Sequence, residues 1–518
     1  MFAQKTILIT GATDGIGLAL ARHYAAQGHR LILVGRRSVG PELGPQAAYC
    51  RADLAQADAA GRVTAFLEAQ NITQLDLLVH NAGVGYYGRF PAQPAASIDA
   101  LTAVNLRAPI ALTHALLPWL RRARGQLVFV SSVASALPAP DYAVYAATKA
   151  ALDGFARSLR VELRGQVTVQ TIFPGATRTG MHAKMGIDRA VMDWEKFPSA
   201  KKTAVRMAAL IARKRPFSAI GMSNTLLRFA GLRLGWLVDP LMRKGRSAAQ
   251  PHLAHPQLCV ITGAADGIGR ALAQRFAQAG YRIIGVDIDA ARAAQTQAAF
   301  AAQGADISFI LADLATPQGV ETAVAALQAG PDIDLFIHNA GINAVGQFAR
   351  LPWPRQETVL RLNLLAPLHL THGLLRANKL RSGGAWVFIS SLSHYVGYPG
   401  AAVYAASKDG LASFARSLRV GSGEQFHMLT VFPGPTRTAH ARRYSPDNSR
   451  EATRMSPDEL ATAVFRAVQR RRALLIPGAG NRLFALAGRL APRLMDGAMR
   501  KTILQKVGDA VFLEGDDV

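Results

Sequence analysis

The chain of 518 residues holds only two cysteines, Cys50 and Cys259, one in each half. That scarcity excludes a disulfide framework and a cysteine-based metal cluster, and it points to a reducing, cytoplasmic setting. No uncharged apolar run reaches the roughly 18 residues a membrane helix needs, which argues against a conventional span. The first residues lack the pattern of a secretory leader; Thr6 to Thr10 is a short apolar stretch that runs straight into glycines. Acidic residues are also scarce. There are 34 Asp and Glu against 59 Lys and Arg, a formal net charge of +25. An excess of that size attracts anions. Phosphorylated cofactors, anionic membrane surfaces and nucleic acid all have the right sign, and a merely solvated basic face would look the same. No nucleic-acid reading motif accompanies the charge, so nucleic acid is not the expected partner. Half the residues are hydrophobic, too many for a disordered chain. The length is excessive for one core and comfortable for two.

What the chain has is repetition. Tyr145-Ala-Ala-Thr-Lys149 recurs as Tyr404-Ala-Ala-Ser-Lys408, and each copy has a serine thirteen residues upstream, Ser132 and Ser391. On a helix, positions i and i+4 share a face, so each lysine would lie beside its phenol and lower the phenol's pKa. Each copy also follows an apolar strand, a glycine turn and a helix. In the first half Ile7 to Ile9 leads into Thr10-Gly11-Ala12-Thr13-Asp14-Gly15-Ile16-Gly17 and then Leu18 to Gln27. In the second, Val260-Ile261 leads into Thr262-Gly263-Ala264-Ala265-Asp266-Gly267-Ile268-Gly269. Such a turn lets backbone approach a pyrophosphate at a helix amino terminus.

Together the Thr-Gly-x-x-x-Gly-x-Gly turn, the serine and the Tyr-x-x-x-Lys pair resemble the classical short-chain dehydrogenase/reductase family, twice over. The resemblance implies two doubly wound α/β domains with mostly parallel sheets and helices on both faces, residues 1–250 and 251–518. It carries further segments with it. Asp53-Leu54 and Asp313-Leu314 match the adenine contact. Asn81-Ala82-Gly83 and Asn339-Ala340-Gly341 match the strand end beneath the cofactor. Pro174-Gly175 with Thr179, and Pro433-Gly434 with Thr438, match the loop around the nicotinamide amide. Asn105, Ser132, Tyr145 and Lys149 would form one catalytic tetrad, and Asn363, Ser391, Tyr404 and Lys408 another. The family's chemistry gives serine the carbonyl, tyrosine the proton, lysine the tyrosine and ribose, and asparagine a water. No metal enters it.

The halves differ at the end of the second strand. Gly35-Arg36-Arg37 offers charge to a 2′-phosphate, whereas Asp287 at the equivalent place would accept from ribose hydroxyls and repel a phosphate. NADP(H) is therefore expected in the first half and NAD(H) in the second. One departure stands against this: NADP-preferring relatives often carry a basic residue where this chain has Asp14. Met181, Met185, Met192, Trp194 and Phe197 predict an apolar substrate lid in the first half. His440, Arg442, Arg443 and Tyr444 predict a polar one, meeting water or a more polar substrate, in the second. Asn224 to Arg246, with Arg228, Arg233, Arg243, Lys244 and Arg246, reads as a basic amphipathic segment able to lie on the inner face of a membrane, or as a packed tail. It is echoed by residues 481–501. The small residues in 150–159 and 410–418 suggest that the halves pair with each other as a pseudo-dimer, with homo-oligomers of the whole chain as a further expectation. Three functions fit: a bifunctional oxidoreductase on small-molecule alcohols or ketones, a net isomerase coupling NAD-dependent oxidation to NADPH-dependent reduction, and a noncatalytic or nucleic-acid-binding scaffold. Two complete tetrads favour the first two.

Overall fold

The computed structural model describes residues 4–185, 187, 193–242, 257–423, 425–508, 510 and 511. The expected boundary at 250/251, together with Met192, Arg243, Lys244 and Arg246, lies outside these residues.

Each half is built on a seven-stranded sheet. In the first, strands β1 (Thr6–Thr10), β2 (Arg30–Gly35), β3 (Ala47–Arg51), β4 (Leu77–His80), β5 (Gln126–Val130), β6 (Thr168–Phe173) and β7 (Phe217–Ala219) are ordered β3-β2-β1-β4-β5-β6-β7. In the second, β8 (Leu258–Thr262), β9 (Arg282–Asp287), β10 (Ile307–Leu311), β11 (Ile333–His338), β12 (Leu380–Ile389), β13 (His427–Val431) and β14 (Leu474–Leu475) repeat that order. All ladders among the described strands are parallel. Strands such as Ile7-Leu8-Ile9 and Leu31-Ile32-Leu33-Val34 are fully buried because helices cover both faces. The order reverses between β1 and β4, and again between β8 and β11. Ligands of such sheets bind at the carboxyl ends of the strands beside that reversal.

The helical run that carries Asn105 contains an irregularity. Ala95–Thr102 and Ala108–Arg122 are joined without a break by a wide π turn, Ala103–Arg107, and Arg361–Leu365 does the same in the second half. The run Ala95–Arg122 is long and apolar enough to cross a membrane by length and composition. Here Ile98, Leu101, Leu106, Ile110, Leu116 and Leu120 are buried within the protein.

The halves meet through the helices that carry the tyrosines, Ala143–Glu162 and Ala402–Gly421. Small residues permit the approach. A Cβ on Gly154 would lie 2.3 Å from an Asp409 carboxylate oxygen, and one on Gly410 would lie 3.2 Å from the Ala147 carbonyl. The contacts come in pairs related by the repeat. The Ser158 hydroxyl accepts from Tyr398 N–H at 3.0 Å, as Ser417 accepts from Ala139 N–H at 3.1 Å. His114 Nε2 meets the Leu351 carbonyl at 3.0 Å, as His372 Nε2 meets Gln93 at 2.7 Å. Other contacts differ between the halves. Arg157 binds Asp409 at 2.6 Å, where the repeat has Ala150. Arg416 and Arg419 clamp Asp239, while Asp496 at the equivalent place only lies in the field of Arg157 and Arg160. Glu162 accepts from the backbone of Phe348 and Gly400, and burial pushes its carboxyl up to about 7.

Candidate active sites

Glycine-turn geometry is the same in both halves. Gly11 and Gly15 have φ of +65° and +54°, and Gly263 and Gly267 have +67° and +55°. A Cβ on Gly17 would stand 2.2 Å from the Gly11 carbonyl, and one on Gly269 would stand 1.8 Å from that of Gly263. Only glycine closes this cradle. Ile16 and Ile268 enter the helices that follow, which start under the caps of Asp14 and Asp266. Thr10 ties the turn to the strand beneath: its hydroxyl accepts from Asn81 and Ala82 N–H, and Asn81 Nδ2 returns a bond to the Thr10 carbonyl at 3.0 Å. Thr262, Asn339 and Ala340 repeat the arrangement. Thr179 and Thr438 lie against Gly15 and Gly267. The cradle, its outward helix terminus and these loops fit a dinucleotide.

The tetrads assemble at the same strand ends. Asn105 accepts from Val84 N–H at 2.8 Å and donates to the Val84 carbonyl at 2.9 Å, while Asn363 does both with Ile342. The π turns are what allow a helical residue to reach sideways in this way. Lys149 donates to the Val130 carbonyl at 3.0 Å, and Lys408 to Ile389 at 3.0 Å. Gly83 and Gly341 leave the space into which asparagine and lysine converge; a Cβ on Gly341 would lie 3.0 Å from Asn363 Oδ1 and 3.2 Å from Lys408 Nζ. Each ammonium lies 5.7–5.8 Å from its tyrosine ring centre. Ser132 and Ser391 stand beside Tyr145 and Tyr404, close enough to favour their charged forms.

The electrostatics correct one expectation. The phenols are not lowered. Burial pushes Tyr145 up and Tyr404 up to about 12, against the opposing pull of the serines. The same burial pulls Lys149 and Lys408 down to about 8. Desolvation of both groups outweighs their mutual field, because each lysine is turned toward a carbonyl rather than to the phenol oxygen.

At the ends of β2 and β9 the halves diverge. Arg36 is exposed. Arg37 donates to the Thr13 carbonyl at 2.9 Å and pairs with Asp14 at 3.5 Å; Lys184 reaches Asp14 at 2.9 Å. The Lys184 bond is the largest influence holding Asp14 below the usual carboxylate range. The acid that stood against phosphate binding is thus flanked by two cations. Across the repeat, Asp287 accepts from Ala265, Ile288 and Asp289 N–H, and Asp266 and Asp289 gather around Arg292. A coupled exchange underlies this. A Cβ on Gly35 would meet the Thr13 methyl at 2.6 Å, whereas Asp287 faces Ala265. Asp53 and Asp313 spend one carboxylate oxygen on the N–H two residues on, and Leu54 and Leu314 are buried beside them.

Sequence reasoning missed several supports. Thr148 and Ser407, inside each Tyr-x-x-x-Lys, accept from the asparagines at 3.2 Å. Their shared hydroxyl was the available signal. Asn224 and Asn481 lie under Pro174-Gly175 and Pro433-Gly434, so close that a Cβ on either glycine would collide with them.

The lids are unlike each other. Met181 and Met185 are half-buried, with Met185 against Gly85, and Trp194 and Phe197 pack on His182 rather than lining an open surface. Near Tyr145 stand Tyr142 and Tyr87. In the second half His440, Arg442 and Arg443 are exposed, as expected of a polar lid, and only Tyr444 departs from it. Tyr444 is 4% exposed and shares an apolar cluster with Val345, Ala401 and Val507, against which Tyr404 and Ile503 pack. The chain's own C-terminal turns, Arg500–Leu504 and Gln505–Val507, exclude water there. Arg442 pairs outward with Glu451 at 2.8 Å.

The short chain dehydrogenase family profile matches residues 5–190 and 257–449. The chain belongs to the short chain dehydrogenase family. It is an NAD(P)-binding oxidoreductase of small organic substrates, with the fold present twice. It is 36% identical over 220 residues to 1-deoxy-11-beta-hydroxypentalenate dehydrogenase of Streptomyces avermitilis, covering 41% of this chain and 81% of that protein. It is 38% identical over 182 residues to serine 3-dehydrogenase of Agrobacterium fabrum, covering 34% of this chain and 72% of the relative. It is 36% identical to 11-beta-hydroxysteroid dehydrogenase 1A of Arabidopsis thaliana, about half of whose length (52%) is spanned. In structure, the N-domain of a bacterial malonyl-CoA reductase with NADP aligns over 85% of this chain and 93% of that one, at a TM-score of 0.60 and 17% identity. That likeness extends the shared fold across both halves.

Proposed function

We propose that the chain is a bifunctional oxidoreductase with one working site in each half, 1–250 taking NADP(H) and 251–518 taking NAD(H). The observation that carries this reading is the pair of complete Asn–Ser–Tyr–Lys clusters of matching geometry, set beside strand ends of opposite charge. The bound nicotinamide supplies or accepts the hydride. Ser132 or Ser391 orients the substrate oxygen, Tyr145 or Tyr404 moves the proton at Oη, and Asn105 or Asn363 keeps the lysine end of the site in place. Arg36 and Arg37 would hold a 2′-phosphate, with Asp14 neutralised by Lys184. Asp287 keeps acceptor capacity for ribose hydroxyls beyond its backbone bonds. Deuteride transfer from labelled NADPH and NADH to a panel of ketones tests this in Tyr145→Phe and Tyr404→Phe. Each variant should lose transfer from one cofactor only. Loss of both from either variant contradicts independent sites. Chiral analysis of the products separates two reductases from a net isomerase.

The tail favours a peripheral membrane role through the apolar side of the expected amphipathic segment more than through its basic residues. Arg228 does not face outward; it lies 3.4 Å over the Phe173 ring and pairs with Asp153. Instead Met222, Leu226, Phe229, Trp236 and Leu241 are exposed on Met222–Arg233 and Gly235–Leu241. An apolar face beside the basic Arg233, on a chain of charge +25, suits an anionic bilayer. Sedimentation with anionic vesicles should fall in Trp236→Glu with Leu226→Glu. Absence of binding by the unaltered chain at low salt would end this reading.

A further inference from the structure

The cleft between the halves has two symmetry-related sides that differ by one large side chain. Aligned through Asn105 and Asn363, Ala95 is the counterpart of Trp353, and Asp99 that of Glu357. On one side Trp353 fills the gap between the halves, and a cavity of about 10 Å³ remains beside Arg107 and Glu357. On the other, Ala95 leaves a cleft of about 790 Å³. That volume is within the range of roughly 300–1,000 Å³ in which proteins hold small molecules.

Its walls are apolar and come from both halves. Leu106 belongs to the first half, and Leu314, Val320, Val324 and Leu360 to the second. Among the described residues most charged groups at the rim pair with one another, Glu321 excepted. His369 Nε2 meets Asp99 at 2.8 Å, and Glu357 binds Arg107 at 3.4 Å and Arg361 at 2.9 Å. The Glu321 carboxylate disfavours an anion, while Gln328, with one amide N–H spent on the Gly373 carbonyl, keeps neutral donor and acceptor capacity. No tetrad residue lines the cleft, and of the residues assigned to a cofactor only Leu314 does.

We propose that this cleft is a binding site for a compact, neutral, apolar small molecule carrying a hydroxyl or carbonyl group. The occupant takes the volume that Trp353 takes on the opposite side, between the turns that hold Asn105 and Asn363. The test titrates the neutral dye Nile red into the full chain with NADPH and NADH both saturating. One saturable site is expected, and its affinity falls by about tenfold or more in Ala95→Trp and separately in Ala325→Trp. Both alanines are exposed on the cleft, so neither substitution enters a core. Trp353→Ala, which empties the opposite side, adds a second site. Unchanged affinity in both filled variants overturns the proposal. So does loss of binding when the cofactors are added, or in Trp236→Glu on the exposed tail.

Discussion

The two halves hold the same reaction parts in different surroundings. Around Tyr145 the site opens beside Tyr142, Tyr87 and two methionines; around Tyr404 the C-terminal turns supply Val507 and Ile503 as a cover. At the cofactor end, two cations flank one carboxylate in the first half, whereas two carboxylates gather about Arg292 beside Asp287 in the second. Duplication has preserved the hydrogen bonds that fix asparagine, lysine and glycine turn to within a few tenths of an ångström. It has let diverge what touches the two ends of the reactants. On the proposed reading, chemistry and specificity are carried by separable sets of residues.

The comparison breaks most visibly at the tyrosines. Tyr145→Phe and Tyr404→Phe should each lower hydride transfer at their own site by about 10²–10⁴-fold, measured as deuterium incorporation, with cofactor affinity retained. Next in size is the contact that the halves do not share. Asp409→Ala leaves Arg157 partly buried without its carboxylate, and the denaturation midpoint should fall by an amount equal to about 3 kcal/mol. Ala150→Asp, at the repeat-equivalent place, should not restore it. A smaller effect follows from the cover. Val507→Asp should raise KM about tenfold at the Tyr404 site and leave the Tyr145 site unchanged.

Acid sharpens what the halves have in common. His80 and His338 are buried, each bonded to a threonine hydroxyl at 2.9 Å, and burial draws both down to about 3. The unfolded chain binds these protons near pH 6.5 and the folded chain does not. Their neutral forms therefore support folding fully above pH 6.5, and that support is lost as pH falls from about 6.5 toward 3. Urea midpoints should decline over that window, and His80→Asn with His338→Asn should flatten the decline. A midpoint that stays level from pH 6.5 to 4 in the unaltered chain would contradict the assignment.

Much of this was legible in the chain, because glycine turns, parallel apolar strands and the i, i+4 pair are local signals that duplication prints twice. The residues proposed for each tetrad lie together at the strand ends, beside their glycine turns. Three features needed three dimensions. The phenol pKa depends on how far burial outweighs a neighbouring charge, which no spacing reveals. The role of Asp14 depends on Lys184, 170 residues away. Tyr444 looked solvent-facing because its cover, Val507, comes from the far end of the chain, and Arg228 looked like a surface cation because Phe173 and Asp153 were not visible beside it. Ala95 gave no sign of a cleft until Trp353 stood opposite for comparison.

The central claim is the division of cofactors, and calorimetric titration of the full chain with NADPH and with NADH tests it most directly. The affinity of one tight NADPH site should fall about 10–100-fold on Arg36→Ala with Arg37→Ala, while one NADH site is unchanged; Asp287→Ala should do the converse. Two equivalent sites for a single cofactor, unaffected by either change, would contradict the account.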